Sequence, residues 1–415
     1  MKTWISRTAI PRGFRFAATA CGLKRQGLDL ALLTSEAPAA AAAVFTTNVV
    51  QAAPVRLSRE HLRRSRGRMR AIVVNSGNAN CSTGPAGMVA ARRTAECVAA
   101  QLGCRPEEVL VCSTGVIGVP LRVERILQAL PGLARKLSNR RRSFHQVTRA
   151  ILTTDTQPKW ASATFHLARS RVHILGCAKG AGMIHPQMAT MLAFLVTNAR
   201  IAPGLLARTL RAAVHGTFNA ITVDGDTSTN DTVAVLATGA SGARVIRAGS
   251  ADFRRFGHAL EAVCHKLALA IVADGEGAQR VVEVEVRGAR SKRDADRVAR
   301  AIANSPLVKT ALAGADPNWG RILAAAGRAG VPFDPEQAKV WLARIPVYAR
   351  GRALPFDERV AHREMRAGYV PIAVDLGVRR GKGGARNGKQ EPGRARIWTC
   401  DFTSAYVNIN ADYRT

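Results

Sequence analysis

Residues 176–192 read Gly-Cys-Ala-Lys-Gly-Ala-Gly-Met-Ile-His-Pro-Gln-Met-Ala-Thr-Met-Leu, a run of glycines and a proline that leads straight into an apolar strand. Thr190 stands at that junction. A hydroxyl there can be held close to the preceding carbonyl. If the geometry is strained, the oxygen attacks the Ala189 carbonyl carbon, an ester forms and water hydrolyses it. The product is a threonine at a new N-terminus. Such a residue carries both a nucleophile and a base, because its own α-amine ordinarily titrates at about 7.7–8.0. A threonine ahead of a strand is by default structural, so the residues that accompany it decide the reading.

Taken one at a time, those companions are ordinary. Thr114-Gly115 ends a short apolar strand and reads as a turn. Lys179, eleven residues before Thr190, has the default of any lysine, a surface position. Thr153 heads Thr-Thr-Asp-Thr, which suits a helix or turn cap. Glu276, between Gly275 and Gly277, is a loop acid. The acids of Asp224 to Asp231 suggest a cation loop, but the spacing lacks the alternating Asp/Asn pattern with a glutamate at the twelfth position. Scaffolding of the strand after Thr190 is the better expectation there, and no metal is expected.

The elements that must hold these residues alternate between short apolar strands and amphipathic helices. Ala71 to Val74 reads as a buried strand running into Asn75-Ser76-Gly77-Asn78, and Val109 to Cys112 as a second running into Ser113-Thr114-Gly115. Between them, Pro85 opens a helix whose apolar positions recur every three or four residues until Gly103 caps it. Ile126 to Leu133 predicts another helix, kinked or split by Pro131. Further strands are expected at 163–167, 172–177, 192–196 and 281–286. Helices are expected at 203–215, at 253–271, and at 294–302 with Ser291 near its cap. The 379–396 segment, rich in Gly, Lys and Arg, reads as a solvated loop between strands at 372–376 and near 397. The whole pattern is that of a layered α/β (α+β) sandwich.

Composition sets the broad class. The chain has 415 residues, 47% hydrophobic and 22% charged, as in a globular protein. No apolar run is expected to span a bilayer, and no signal peptide is read at the N-terminus. The eight cysteines include no C-x-x-C pair, which points to buried free thiols in a reducing cytoplasm. The net charge of +32 raises the question of nucleic acid. The arginines are spread along the chain, however, and aromatics make up only 5%, which argues against a stacking-based partner.

Nine motifs in order change the weight of the individual residues. They are Val44-Phe45-Thr46-Thr47-Asn48, Asn75 to Asn80, Ser113 to Gly118, Thr153-Thr154-Asp155-Thr156, Lys179 to Leu192, Val223 to Asp231, Asp274 to Ala278, Asp316-Pro317-Asn318-Trp319-Gly320-Arg321, and Ile409 to Tyr413. Together they resemble the ornithine acetyltransferase (glutamate N-acetyltransferase) family of arginine biosynthesis, from Gly13-Phe14 to Thr415. The resemblance implies cleavage between Ala189 and Thr190 into an α chain, 1–189, and a β chain, 190–415, with Thr190 as nucleophile. It implies an oxyanion hole at Thr114 and Gly115, and substrate contacts at Thr153, Lys179, Thr190, Glu276, Asn410 and Thr415. The last two would bring the carboxyl end into the site, although termini usually fray.

The implied reaction moves acetyl from N2-acetyl-L-ornithine to L-glutamate by a ping-pong route. No cofactor is implied, and the resemblance leaves open whether acetyl-CoA also serves as donor. Two α and two β chains are expected to assemble as a heterotetramer, without membrane or specific nucleic acid. His185 lies at a position where the family varies and is read as loop. The alternative is a self-processing amidase or aminopeptidase of related architecture, in which water replaces the amine acceptor; such enzymes typically expose a serine after the cut.

Overall fold

A computed structural model of the chain describes residues 9–185, 191–378 and 392–412. They divide into two units, one of residues 9–219 and 226–271, the other of Ala220–Gly225 and residues 272–412.

The first unit is built on an eight-stranded mixed sheet: β1 (Phe14–Thr19), β2 (Leu30–Phe45), β3 (Arg68–Asn78), β4 (Val109–Val116), β5 (Lys159–Leu167), β6 (Ser170–Lys179), β7 (Leu192–Thr197) and β8 (Thr232–Ala237). Their order is β4-β3-β2-β8-β7-β6-β5, with β1 paired to β2. Side chains alternate between two cores, as the two-residue period of a strand requires. Ile72, Val74, Leu110, Cys112, Cys177 and Phe194 enter one core, and Ala71, Val73, Val109 and Val111 enter the other. Helices α1 (Ala53–Arg64), α2 (Gly84–Leu102) and α3 (Val123–Arg135) cover the second face through Leu57, Val98, Ile126 and Leu130. Helix α4 (Arg141–Ala150) covers the first through Phe144 and Val147. Two further helices are α5 (Pro203–His215) and α6 (Ala251–Ala273).

The strand order bears directly on Thr190. β6 ends before it and β7 begins after it, and the two pair antiparallel with Lys179 opposite Leu192. β7 then pairs with β8, and β8 with β2. Segments from either side of the Ala189–Thr190 bond are therefore interleaved in one sheet. Breaking that bond would leave their backbone ladders and the apolar cores on both faces intact.

The sequence-based expectations meet the structure with four corrections. Helix α3 runs through Pro131 rather than splitting. Proline costs the helix one N–H donor, normally to the carbonyl four residues back. Here Leu127 O faces the Cys97 thiol at 4.0 Å. All eight cysteines are free, but Cys21, Cys97 and Cys104 are half-buried, not fully buried as expected; the other five are buried. By length and composition α6 is long and apolar enough to cross a membrane, contrary to expectation. Its Phe256, Leu260, Val263, Leu267 and Ile271 are instead buried in the fold.

The fourth correction concerns the basic loop in the second unit. That unit carries a six-stranded sheet of β9 (Val281–Ala289), β10 (Lys339–Leu342), β11 (Ile345–Ala349), β12 (Arg352–Ala353), β13 (Tyr369–Asp375) and β14 (Gly393–Cys400). The order is β12-β11-β10-β13-β9-β14. Residues 393–396, read as loop, begin β14. The reason is charge at strand spacing: Arg394 pairs with Glu285, and Arg396 with Glu283 at 2.9 Å, both on β9. Residues 379–391 of the expected loop lie outside the described residues. Val282, Val284 and Val286 turn to the buried face of β9, under α7 (Lys292–Ala303) with its Val298 and Ile302. Ser291 caps that helix by accepting from Asp294 N. The remaining helices are α8 (Pro306–Gly314), α9 (Trp319–Gly327), α10 (Glu358–Met365) and α11 (Ser404–Asp412).

Candidate functional site

The ends of β3 and β4 leave the sheet side by side, and buried amides hold them there. Ser113 Oγ donates to Asn75 Oδ1 at 2.6 Å, and Asn75 Nδ2 to Asn78 O at 2.9 Å. Asn230 Nδ2 bridges Ala79 O at 2.7 Å and Ser113 O at 2.9 Å. Thr46 ties in the same loop by donating to Ser228 O at 2.7 Å, and Asn48 by donating to Thr227 O at 3.1 Å. Three motifs far apart in sequence therefore meet beside Thr114-Gly115, through the bonds of Asn230 and Asn75 to Ser113. Gly115 has φ +130°, and a Cβ there would lie 2.4 Å from the Gly77 carbonyl carbon. No other residue fits so close to a neighbouring backbone.

The end of β6 brings a cation to this place. Lys179 Nζ donates to Thr114 Oγ1 at 3.2 Å, and both residues are buried. The next residue, Gly180, donates its N–H to Asp155 Oδ1 at 2.6 Å. Asp155 also receives Lys159 Nζ at 2.7 Å, a pair with almost no solvent exposure, and Thr153 N at 3.1 Å. Burial alone would push the Asp155 carboxyl up. The Lys179 and Lys159 charges and the Gly180 amide outweigh it and hold the group below its ordinary value. Thr153 is thus positioned by an acid two residues later, not by its own hydroxyl acting as a cap.

Residue 191 is anchored separately. Asp231 Oδ1 accepts from Met191 N at 2.9 Å, so the acid expected to scaffold the strand after Thr190 does so at the first described residue. Burial raises the Asp231 pKa well above the ordinary 3.8, opposed by the Met191 amide, the Ser228 hydroxyl and the Lys179 charge. A carboxyl whose folded pKa exceeds its unfolded value stabilises fully below the unfolded value. That contribution is lost as pH rises through the folded one. Asp231→Asn keeps the oxygen that accepts from Met191 and cannot ionise. Its melting temperature relative to the parent protein should therefore climb as pH rises from about 4. Thermal melts across that range check the sign, and a falling difference would mean the carboxylate is welcome in its site.

In the second unit Glu276 and Asn410 meet, 134 residues apart, through Asn410 Nδ2 and Glu276 Oε2 at 2.8 Å. Gly277 makes room: a Cβ there would lie 2.5 Å from Tyr406 N of α11. Thr403 Oγ1 adds a 2.7 Å bond to Gly277 O.

Of the residues singled out in the sequence, the structure brings Thr114, Gly115, Lys179 and Thr153 together in one unit, and Glu276 and Asn410 in the other. Ala189, Thr190 and Thr415 lie outside the described residues. Sequence reasoning gave no part to Lys159, although its i, i+4 spacing from Asp155 was a usable signal. Among the described residues no group of three or more His, Cys, Asp or Glu side chains could hold a metal ion.

The profile of the ArgJ family matches residues 15–415. The arginine biosynthesis bifunctional protein ArgJ of Geobacter sulfurreducens is 48% identical over 406 residues, covering 97% of this chain and 99% of its own. That of Chlorobaculum tepidum is 47% identical over 405 residues, covering 98% and 96%. Among solved structures, the arginine biosynthesis bifunctional protein ArgJ of Bacillus halodurans is similar at 39% identity. It covers 53% of this chain and 98% of its own, with a TM-score of 0.49.

Proposed function

The chain belongs to the ArgJ family, and on that premise we propose that it is a glutamate N-acetyltransferase that cuts itself between Ala189 and Thr190. The liberated Thr190 hydroxyl attacks the acetyl carbonyl of N2-acetyl-L-ornithine, while its own α-amine takes the hydroxyl proton. The tetrahedral oxyanion is met by donors at Thr114 and Gly115, the α-ammonium gives its proton to the departing nitrogen, ornithine leaves, and the acetyl-threonine ester remains. Glutamate then enters, its amine attacks the ester and passes its proton through the Thr190 α-amine to the threonine oxygen, and N-acetylglutamate departs. Donors aimed at such an oxyanion supply about 3–4 kcal/mol each.

The observation that carries the reading is the meeting of Thr114-Gly115 with Lys179, at the end of the strand whose partner starts two residues after Thr190. It supports an oxyanion site and a carboxylate-binding cation side by side. The Lys179 charge suits the α-carboxylate of both substrates, and Thr153 lies on the same Asp155 hub. Glu276, paired with Asn410, offers a carboxylate to the ornithine side-chain amine, and Thr415 is assigned a substrate contact with them. The interleaved strands support a cut α and β pair that stays together, and two pairs are proposed to form a heterotetramer. No cofactor is proposed, and the site of action is the cytoplasm.

Release of ornithine from N2-acetylornithine should require glutamate, with equimolar N-acetylglutamate formed. Ornithine release at the same rate without glutamate would mean hydrolysis, the self-processing amidase alternative. The relatives' bifunctional names make acetyl-CoA a second proposed donor. Acetyl-CoA and glutamate alone should then yield N-acetylglutamate.

A further inference from the structure

The turn between β1 and β2 carries a lysine that the reaction above does not use. Asp29, fully buried ahead of β2, accepts the backbone N–H groups of Cys21 at 2.6 Å, Leu23 at 2.7 Å and Lys24 at 3.0 Å. Three donors on one carboxylate fix the path of the turn. The fixed turn lays Lys24 across Gly77, where a Cβ would lie 2.9 Å from Lys24 Cγ and 3.1 Å from Leu23 O. Gly77 is the same residue whose carbonyl carbon crowds Gly115. Lys24 therefore lies against the β3 residue that borders Gly115.

The head of the side chain reaches the Asp155 hub. Lys24 Nζ donates to Leu152 O, the residue before Thr153, at 3.2 Å, its one hydrogen bond among the described residues. An ammonium group has three donors, so two are left for a ligand. Charge points the same way. Burial pulls the Lys24 pKa below its ordinary value, the Lys179 charge adds to that, and only Asp29 and Asp155 oppose it. Asp155 is shared with Lys179 and Lys159. The ammonium groups of Lys24, Lys179 and Lys159 thus gather around Asp155, a concentration of positive charge that suits an incoming anion.

We propose that Lys24 is a second substrate-binding cation of the acetyl-transfer site, holding with Lys179 the α-carboxylate common to acetylornithine and glutamate. This rests on the reaction proposed above. The common carboxylate is favoured because Lys24 bonds the residue before Thr153 and lies against Gly77, which borders Gly115.

Steady-state kinetics of the full-length protein with Lys24→Met and Lys24→Arg, beside the parent, test it. Lys24→Met should raise KM for both substrates about tenfold or more, the worth of a charged hydrogen bond. The kcat should stay within about 3-fold, as expected when uniform binding is lost. A denaturing gel should still show the precursor cut. Lys24→Arg, which keeps the charge, should restore most of the affinity. Unchanged KM values, a rise for one substrate only, or a loss confined to kcat would overturn the assignment. So would an equal loss in Lys24→Arg, which would make the residue packing over Gly77. If Lys24→Met does not fold, Lys24→Gln, which retains a donor for Leu152, carries the same comparison. A parent protein without glutamate-dependent acetyl transfer would fail the reaction itself. An active parent with an indifferent Lys24→Met fails this inference alone.

Discussion

Thr190→Ala leaves the chain in one piece and without acetyl transfer. The substitution removes a single oxygen-bearing group that has two consecutive tasks. Without it no ester forms at the Ala189 carbonyl, so a denaturing gel shows one band, where the parent shows fragments 1–189 and 190–415. Without it the acetyl group also has nowhere to reside. Loss of a covalent nucleophile that works as a unit with its base costs about four orders of magnitude or more in kcat. The fold should survive, because the described ladders join β6 to β7, β7 to β8 and β8 to β2 through residues 174–179, 192–197, 232–237 and 40–45. A melting temperature close to the parent's, with cleavage and turnover both lost, separates chemistry from collapse. Thr190→Ser keeps the oxygen and should still cut. An uncut parent that transfers acetyl, or a Thr190→Ala protein with parental turnover, defeats the whole reading.

How much of this was legible in the sequence depends on the range of the interaction. Helices α2, α5 and α7 announce themselves locally, by Pro85, Pro203 and Ser291 at their starts and, for α2, by Gly103 at its left-handed cap. Helix α4 gave no such notice. Its first turn is arginine-rich, and its apolar face consists only of Phe144, Val147 and Ala150, so charge obscured the period. The start of β14 was hidden because Arg394 and Arg396 look solvated until Glu285 and Glu283 are placed opposite them. The motifs marked Thr114, Gly115, Lys179 and Thr153 as a set, but the physical links between them are not local. Asp155 binds Gly180 across 25 residues, Lys179 reaches Thr114 across 65, and Lys24 reaches Leu152 across 128. Nothing in the spacing of one segment encodes such pairs; they are products of strand order.

Gly115→Ala should damage both stability and turnover, and Gly103→Ala shows why the two glycines differ. Both have positive φ, +60° at Gly103 and +130° at Gly115. At Gly103 a Cβ meets nothing within 4 Å, so alanine pays only the left-handed backbone penalty of about 1–2 kcal/mol. At Gly115 the same methyl would sit 2.4 Å from Gly77 C and 2.5 Å from Asn78 N. Those atoms are backbone, held by the Asn75 bond to Asn78 O, so they cannot swing aside as a side chain would. Strain and overpacking together should cost about 3–5 kcal/mol. The movement that relieves them parts β3 from β4 at the proposed oxyanion donors. Misplacing such a donor lowers kcat by about 100- to 1,000-fold. Thermal melts and kinetics of the two variants should therefore diverge: Gly103→Ala slightly less stable and fully active, Gly115→Ala much less stable and nearly inert. If Gly115→Ala proved as mild as Gly103→Ala, the close approach of β3 and β4 would not be what shapes the site.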